Sequence, residues 1–443
     1  MLERKLCAGS AVLACLAVAR IAEGAPTYQI LYHERLDITA SVDAKGQQHL
    51  GFDAYGRHFE VNLESNDNIA RGVPAGRSDI KPYRGTLTGA TGSWVRLTRT
   101  QTGWRGMVSD GHELYAVEPV STSTGGGSNP APAIYRLTDA IIPEGAAYCG
   151  TETDESLLGG AAGRATASQA YSSIAKDLSR KDTNTTASRQ LVVGVVADHT
   201  FTDNVGTDPE SEIVARMNEV DGIWSSQVGI SIVLGPVTVL TDTTDTFTST
   251  TTPTDLLSEV ADYRAKVAGS NGAALTHLMT GRTLDGNIVG ISYLGALCDG
   301  NYSSSLSANI ISTTEGALIT AHELGHSFNA VHDGVAGVCA STPQTYLMAP
   351  TINFNNQFSA CSLTSIAAKA QTASCVQSVS SGSGSGASSG TTSSQGDPSV
   401  SSDPSGTSGS GSSNGGGGGG LDFAVLGLLA AVVLGRQVSS RER

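Results

Sequence analysis

The stretch TAHELGHSFNAVHDG, residues 320–334, holds three of the nine histidines in this 443-residue chain. If the stretch begins as a helix, His322 and His326 lie four residues apart on one face and can bind the same ion. Asn329 can end that helix, because asparagine tolerates left-handed backbone angles better than most residues. The chain then returns His332 to the ion as a third ligand. Three histidines leave the fourth position of a zinc ion open, as in catalytic sites.

Glu323 follows the first of these histidines and supplies a general base. Zinc lowers the pKa of a bound water to about 7, so Glu323 can take the proton as hydroxide attacks a scissile carbonyl. The same carboxyl group can then deliver the proton to the leaving amine. A helix with two surface histidines would explain a bare His-Glu-x-x-His, but the third histidine disfavours that reading. The stretch predicts one catalytic Zn²⁺ ion and peptide-bond hydrolysis.

The charge of the chain limits its partners. The formal net charge is −14 and no long basic run occurs, so a nucleic-acid-binding surface is not expected. The apolar content of 39% is that of a globular protein. The length allows two or three domains, each able to bury a core.

The first 25 residues have the features of a secretory signal peptide. A charged start precedes an apolar stretch, and a small-residue cleavage site ends at Gly24 or Ala25. A membrane-spanning anchor is the alternative, but the run is short and is interrupted by Arg20. We therefore expect the protein to be exported.

The carboxyl end has two parts. Residues 377–414 are almost wholly Ser, Gly and Thr, the composition of a flexible linker. Residues 415–443 join six glycines to a short apolar run and a basic end. This tail resembles the GlyGly carboxy-terminal sorting tags of Gram-negative bacteria, which an intramembrane rhombosortase removes. A transmembrane tail anchor and a lipid-anchor signal are the alternatives, and all three imply a secreted or cell-surface protein.

Two folded units are expected between the ends. Residues 26–145 show short alternating apolar segments punctuated by Gly, Asn and Pro, which indicates a β-rich domain. Residues 146–190 are polar and rich in small residues, and we expect an exposed connector there. From about residue 190 strands alternate with helices, so an α/β layer arrangement follows. Within it, PESEIVARMNEVDGIWSSQ predicts a helix and ISIVLGPVTVL a strand pair.

The motif HELGHSFNAVHD resembles the zinc signature of the metzincins, specifically the adamalysin branch (reprolysins, ADAM and ADAMTS proteins), in which Asp follows the third histidine as Asp333 does. TGRTLDGNIVGISYLGALC resembles that branch's substrate-flanking edge strand, and TYLMAP, with Met348, its Met-turn beneath the zinc. Residues 28–119 resemble its propeptide. The resemblance covers residues 28–376. It implies a metzincin α+β fold, with a mixed twisted sheet, an active-site helix and a small C-terminal subdomain, preceded by a β-rich propeptide domain.

The resemblance also implies a zymogen, with a propeptide over residues 26–181 and a catalytic domain over residues 182–376. In such zymogens a propeptide cysteine, often followed by Gly, binds the zinc and keeps water out. Cys149 stands in that place. Cleavage near Arg180-Lys181 would then free the catalytic domain. An intermolecular disulfide or an idle thiol is the alternative for Cys149.

Four other cysteines lie in the catalytic region. The resemblance implies the disulfide Cys298–Cys375, which leaves Cys339–Cys361 as the second pair. The family's calcium-binding Glu corresponds here to Val192, so a structural calcium ion is doubtful.

The sequence thus predicts a secreted zinc metalloendopeptidase that acts on extracellular proteins and is inhibited by its own propeptide. The edge strand IVGISYLGAL would hold the substrate backbone antiparallel by β-augmentation. Two alternatives remain. One is a non-catalytic surface adhesin with a structural metal site, which the base Glu323 disfavours. The other is a zinc hydrolase that acts on something other than protein, which a propeptide with Cys149 disfavours.

Overall fold

The structure is a computed structural model that describes most of the chain between residues 29 and 379. The described ranges are 29–43, 47–120, 131–141, 148–152, 187–206, 208–267, 272–310, 312–335 and 337–379. The expected signal peptide, the Arg180-Lys181 cleavage site and the sorting tag lie outside these ranges, as does the linker apart from its first three residues. Within them, no helix is both long enough and apolar enough to cross a membrane.

The amino-terminal part, residues 29–141, is β-rich as expected and is called the β-domain below. Its strands are Gln29–Ile30 (β1), Glu34–Arg35 (β2), Thr39–Val42 (β3), Gln48–Ala54 (β4), Arg57–Ser65 (β5), Lys81–Leu87 (β6), Trp94–Thr100 (β7), Gly103–Ser109 (β8), Leu114–Val120 (β9), Ala131–Arg136 (β10) and Ala140–Ile141 (β11). Nine of them form an antiparallel sheet in the order β2-β10-β9-β8-β7-β6-β5-β4-β3, and β1 pairs with β11. A short helix, Asp67–Ala70 (α1), follows β5.

Alternation of apolar and polar residues builds this sheet. In β5, Phe59, Val61 and Leu63 are buried, whereas Glu60 between them and the flanking His58 and Glu64 are exposed. The buried side chains of the strands pack into a core on one face of the curled sheet. Strands β6, β7 and β8 lie against a helix of the following domain.

Residues 187–379 form the second domain, built on a mixed sheet. Its strands are Arg189–Ala197 (β13), Ile230–Val239 (β14), Leu275–Thr280 (β15), Ile288–Tyr293 (β16), Ser304–Ala308 (β17) and Gln377–Ser378 (β18), and Tyr148–Glu152 (β12) joins them from outside the domain. The order is β12-β16-β17-β15-β13-β14, with β18 also paired to β13. Strand β16 is antiparallel to β17, whereas β13, β14, β15 and β17 run parallel.

Helices cover both faces of this sheet. They are His199–Val205 (α2), Pro209–Gln227 (α3), Pro253–Lys266 (α4), Thr313–Ser327 (α5) and Ala360–Thr372 (α6). Helix α3 has the bounds predicted from the sequence, with Pro209 at its start and Asp208 as its N-cap. The residues after α5, including α6, form the small C-terminal subdomain.

Two expectations about local structure were wrong. The segment ISIVLGPVTVL is one strand, β14, because a bulge at Gly235-Pro236 opposite Gly194 lets the pairing with β13 continue past a proline. Residues 146–190 are not wholly an exposed connector, because β12 pairs with β16 and buries Cys149. Residues 148–152 form a strand despite the polar composition of the segment, because they pair with β16 and pack against apolar residues of the neighbouring domain.

Strand β17 was missed in the sequence, since its residues SSLSA have weak β-propensity. All five residues are buried. The hydroxyl groups of Ser305 and Ser307 are hydrogen-bonded to the buried imidazole of His277, at 2.8 and 3.0 Å. A strand of buried serines is stable in this position because a neighbouring strand supplies their polar partner.

Candidate functional site

Helix α5 carries the first two histidines of the opening motif into the interior. The Ser312 hydroxyl accepts a hydrogen bond from the Glu315 N–H at 3.2 Å and caps the helix. Every residue from Thr313 to Ser327 is buried. The chain leaves the helix after Phe328, and Asn329 adopts φ +70°, the left-handed geometry expected of it. This turn brings His332 back toward the helix.

The three histidines converge on one point. The Nε2 atoms of His322, His326 and His332 lie 2.9, 3.1 and 3.2 Å from one another. Ligands of a tetrahedral zinc ion with Zn–N bonds of 2.0–2.1 Å lie about 3.4 Å apart, so the spacing is near that of a zinc site. The three residues form a potential metal-binding group.

In two of the three rings, a hydrogen bond at Nδ1 fixes the tautomer and leaves Nε2 facing the centre. The Nδ1–H of His322 donates to the Leu347 carbonyl at 2.6 Å, and the Nδ1–H of His326 donates to the Ala330 carbonyl at 2.7 Å. A carbonyl can only accept, so both Nε2 atoms carry lone pairs and cannot donate to each other. Convergent lone pairs need a cation between them, and the residues present therefore fit zinc.

Burial keeps these imidazoles neutral, the state that binds metal. It lowers the pKa of His322 to about 3 and that of His332 to about 4. It lowers the pKa of His326 well below its usual value, and the neighbouring histidines add to this effect. Neutral rings at physiological pH are ready to coordinate without losing a proton first.

Glu323 lies beside this cluster on the inner face of α5. Both carboxylate oxygens are buried and lack a nitrogen or oxygen donor among the described residues. Burial raises the pKa of Glu323 well above its usual range, more than the adjacent Cys149 thiol lowers it. A buried carboxyl group with a raised pKa is a better proton acceptor than an ordinary carboxylate and can return the proton later.

The edge strand β16 passes close to Glu323 at Gly290. A Cβ atom at Gly290 would lie 2.3 Å from Glu323 Oε1 and 2.9 Å from Ile319 Cγ2. Only glycine permits this approach, which sequence analysis did not single out. A glycine inside a strand pattern is the signal that could have revealed it.

Met348 lies beneath the histidine helix. It is fully buried, and a Cβ atom at Gly325 would lie 2.6 Å from its sulfur. The Asp333 N–H donates to the Met348 carbonyl at 2.9 Å, and the Asp333 carboxylate accepts hydrogen bonds from Ser359 and Ser362 at 2.8 and 3.3 Å. These contacts join the turn around Met348 to the third histidine and to α6.

Strand β12 occupies the outer edge of β16. The two strands are parallel, with Cys149 opposite Gly290. On its other side, the Cys149 N–H donates to the Pro350 carbonyl at 3.0 Å, and Tyr148 bridges to Thr351. The strand therefore threads between the edge of the sheet and the segment that follows Met348.

The side chain of Cys149 lies beside His322 and Glu323. It is a free, buried thiol that forms a second potential ligand group with His322 and Glu323. Burial, followed by the charge of Glu323, raises the pKa of the thiol. Its apolar neighbours are Val289, Ile310, Ile319 and Ile352.

Both disulfides lie in the second domain, residues 187–379. Cys298 is bonded to Cys375 and Cys339 to Cys361, with Cα–Cα distances of 5.6 and 5.8 Å. The family resemblance implied the first pair, and elimination left the second. The first joins the end of the edge-strand loop to the C-terminal segment, and the second joins the loop after Asp333 to α6.

Comparison with known proteins agrees with this geometry. The family model of metallo-peptidase family M12, reprolysin type, matches residues 187–359. These residues form a reprolysin-type metallopeptidase domain. The metallopeptidase domain contains the three histidines, Glu323 and Met348.

Two related proteins carry a metalloproteinase domain in their names. The chain is 29% identical over 181 residues to "Disintegrin and metalloproteinase domain-containing protein B" of Arthroderma otae, covering 34% of this chain and 22% of that protein. It is 26% identical over 266 residues to "Disintegrin and metalloproteinase domain-containing protein 12" of Mus musculus, covering 58% of this chain and 28% of that protein. The chain thus spans about a quarter of the length of these relatives.

Proposed function

We propose that this protein is a secreted zinc-dependent metalloendopeptidase that is made as a cysteine-switch zymogen. One observation carries the catalytic part of the proposal. Three Nε2 atoms converge within 3.2 Å of one another beside a buried carboxyl group that has no nitrogen or oxygen donor among the described residues. A structural metal site has no need of such a base.

The chain's own residues would orient the substrate and move the proton. An extended peptide would pair antiparallel with β16, whose backbone groups hold it beside Gly290 and Glu323. His322, His326 and His332 would hold a zinc ion, which would supply Lewis acidity for the attacking water and the scissile carbonyl. Glu323 would accept a proton from the attacking water and then donate it to the leaving amine. Gly290 leaves the space in which the carboxyl group can swing between these two positions.

The zymogen part of the proposal rests on β12. This strand covers the edge of β16 that a substrate would need, and Cys149 lies beside Glu323 and His322. As a thiolate, Cys149 would take the position that the attacking water requires. Strand β12 runs parallel to β16, whereas the substrate is proposed to run antiparallel. The peptide bonds of β12 would therefore lie in the site with the reverse chain direction from those of a substrate.

Export is proposed from the sequence features at both ends. The first 25 residues resemble a signal peptide, and residues 415–443 resemble a tag for a rhombosortase-like sorting protease. The two disulfides are consistent with an oxidising compartment outside the cytoplasm. Extracellular proteins would then be the substrates, and the propeptide the inhibitor of the enzyme.

Replacing the base tests the catalytic proposal. Glu323→Gln keeps the shape of the side chain but cannot accept a proton. We expect a cleaved and activated chain of this variant to bind zinc at wild-type stoichiometry and to lose casein hydrolysis by at least about 100-fold. Undiminished turnover would refute the role of Glu323 as the base, whereas a zinc-loaded, activated wild type that does not hydrolyse casein would favour the surface-adhesin alternative.

A further inference from the structure

Helix α3 of the metallopeptidase domain lies at the interface with the β-domain. An amphipathic surface helix normally leaves its polar face in water. In α3 every residue from Ser211 to Trp224 is buried, including five that are charged or carry an amide. The β-domain strands β6, β7 and β8 cover the polar face. Helix α3 is therefore enclosed between the rest of its own domain and the β-domain.

Opposite charges meet across this interface. Arg96 of β7 pairs with Asp221 of α3 at 2.8 Å, and the exposed fractions of these side chains are 9% and 2%. Arg105 of β8 pairs with Glu212 at 2.6 Å. Near the start of α3, Arg77 pairs with Asp208 at 2.7 Å. In each pair the arginine belongs to the β-domain and the acid to α3 or its N-cap, so the two surfaces are electrostatically complementary.

Uncharged groups add close packing. Asn66 Nδ2 donates to Asn218 Oδ1 and to Asp221 Oδ2, at 2.8 and 2.9 Å. Gly222 faces the β-domain, where an added Cβ atom would lie 2.5 Å from the ring of Trp94. One continuous apolar core contains buried residues of both domains. Such an interface resembles a domain core divided in two rather than a transient contact.

The β-domain also contacts the helix that carries the zinc-binding histidines. The Glu118 carboxylate of β9 accepts hydrogen bonds from the Ser312 hydroxyl at 2.9 and 3.1 Å and from the Thr313 N–H at 3.0 Å. A carboxylate at this end of α5 is also favoured by the helix dipole. Separation of the two domains would remove this partner from the N-terminus of α5.

The path of the chain links the docked β-domain to the cleft. Only six residues, 142–147, connect β11 to β12. Six residues reach at most about 20 Å. A strand on so short a tether stays at a local concentration on the order of millimolar near its site. A cut at Arg180-Lys181 would leave this tether intact.

We propose that the β-domain stays bound to the metallopeptidase domain in the active enzyme, and that activation requires two cuts that release β12. One cut falls in residues 153–186 and the other in residues 142–147. The inference rests on the proposed function, because it concerns how the same cleft becomes accessible. The β-domain is then a permanent part of the enzyme, and the inhibitory element is the segment that contains Cys149.

Engineered cleavage sites test the proposal on the full chain. A recognition sequence for one specific protease replaces Arg180-Lys181, and a site for a second protease is placed in residues 142–147. Association is followed by size-exclusion chromatography with intact mass, in Glu323→Gln to prevent self-digestion. Activity is followed with fluorogenic casein in the chain that retains Glu323.

The expected results differ between the two cuts. After the first cut alone, the β-domain co-elutes and casein is not hydrolysed. After both cuts, the β-domain still co-elutes, the segment with Cys149 is gone, and activity appears. Separate elution of the β-domain, or activity after the first cut alone, would overturn the inference. Co-elution without activity after both cuts would support retention of the β-domain and count against the proposed function.

A pair of arginine variants tests the interface itself. Arg96 contacts α3, whereas Arg84 pairs with Glu64 inside the β-domain at 2.8 Å. In the doubly cut protein, Arg96→Ala should raise the Kd between the domains at least about 30-fold, because Asp221 loses its buried partner. Arg84→Ala, the matched control, should leave the Kd within about twofold. Equal Kd values for the two variants would contradict the proposed interface.

Discussion

Gly290→Ala should displace Glu323, the proposed catalytic base, without disturbing the fold. The added Cβ atom would lie 2.3 Å from Glu323 Oε1, whereas ordinary contacts begin at 3.4 Å. The carboxyl group or the edge strand must therefore move by the difference, 1.1 Å. A displacement of about 1 Å in an active site costs about 100-fold in rate, or about 2.7 kcal/mol in activation free energy.

The assay compares kcat and KM for a fluorogenic peptide with the activated wild type and variant. We expect the loss in kcat, because the proton acceptor is displaced, and a smaller change in KM. Zinc content and Tm are measured in parallel. Overpacking at a buried site costs about 1–3 kcal/mol of stability, so the variant should remain folded at assay temperature.

Gly51→Ala is the matched control. Gly51 lies in β4 of the β-domain, and a Cβ atom there would be 3.6 Å from the nearest atom of His58. This variant should retain the wild-type kcat. A folded, zinc-loaded Gly290→Ala enzyme with kcat within twofold of the wild type would refute the assigned position of Glu323 against the edge strand.

Three further predictions concern stability, measured by urea unfolding. Asn329→Ala should destabilise the protein by about 1 kcal/mol because φ is +70°, whereas Asn329→Gly should be nearly neutral. Burial lowers the pKa of His277 to about 3 from an ordinary value of 6.5. The neutral, buried imidazole therefore makes its full contribution to the free energy of unfolding above pH 6.5. That contribution should fall by up to about 1.4 kcal/mol per unit as the pH drops toward 3, and His277→Gln should reduce the slope. Replacing both Cys339 and Cys361 by Ala should cost about 3 kcal/mol, since the disulfide closes a loop of 22 residues. A loss below about 0.5 kcal/mol would show that this disulfide does not restrict the unfolded chain.

Much of the candidate metal site could be predicted because its signal is local. The spacing of His322, His326 and His332 requires only a helix and a turn, and Asn329 supplies that turn. The bounds of α3 were predictable for the same reason, since a capping Asp and an early Pro mark its start. In these elements local preference and tertiary packing agree.

The contacts that the sequence did not reveal are long-range. The pairing of β12 with β16 joins residues about 140 positions apart in the chain, and the segment around Cys149 has no strong strand pattern. The partners of Glu118, at Ser312 and Thr313, are almost 200 positions away. Neither composition nor periodicity specifies which distant surface will cover a polar side chain, so only the folded structure identifies these neighbours.

The burial of α3 between two domains has a consequence for synthesis. The β-domain precedes α3 in the chain, so the ribosome completes the covering surface before it makes the helix that this surface will cover. A truncated chain that begins at residue 187 would lose this advantage, because Asp221 and Glu212 would emerge with no arginine partner from the β-domain. We therefore expect such a chain to give less folded protein than the full-length chain, and co-expression of residues 29–141 as a separate chain to restore the yield.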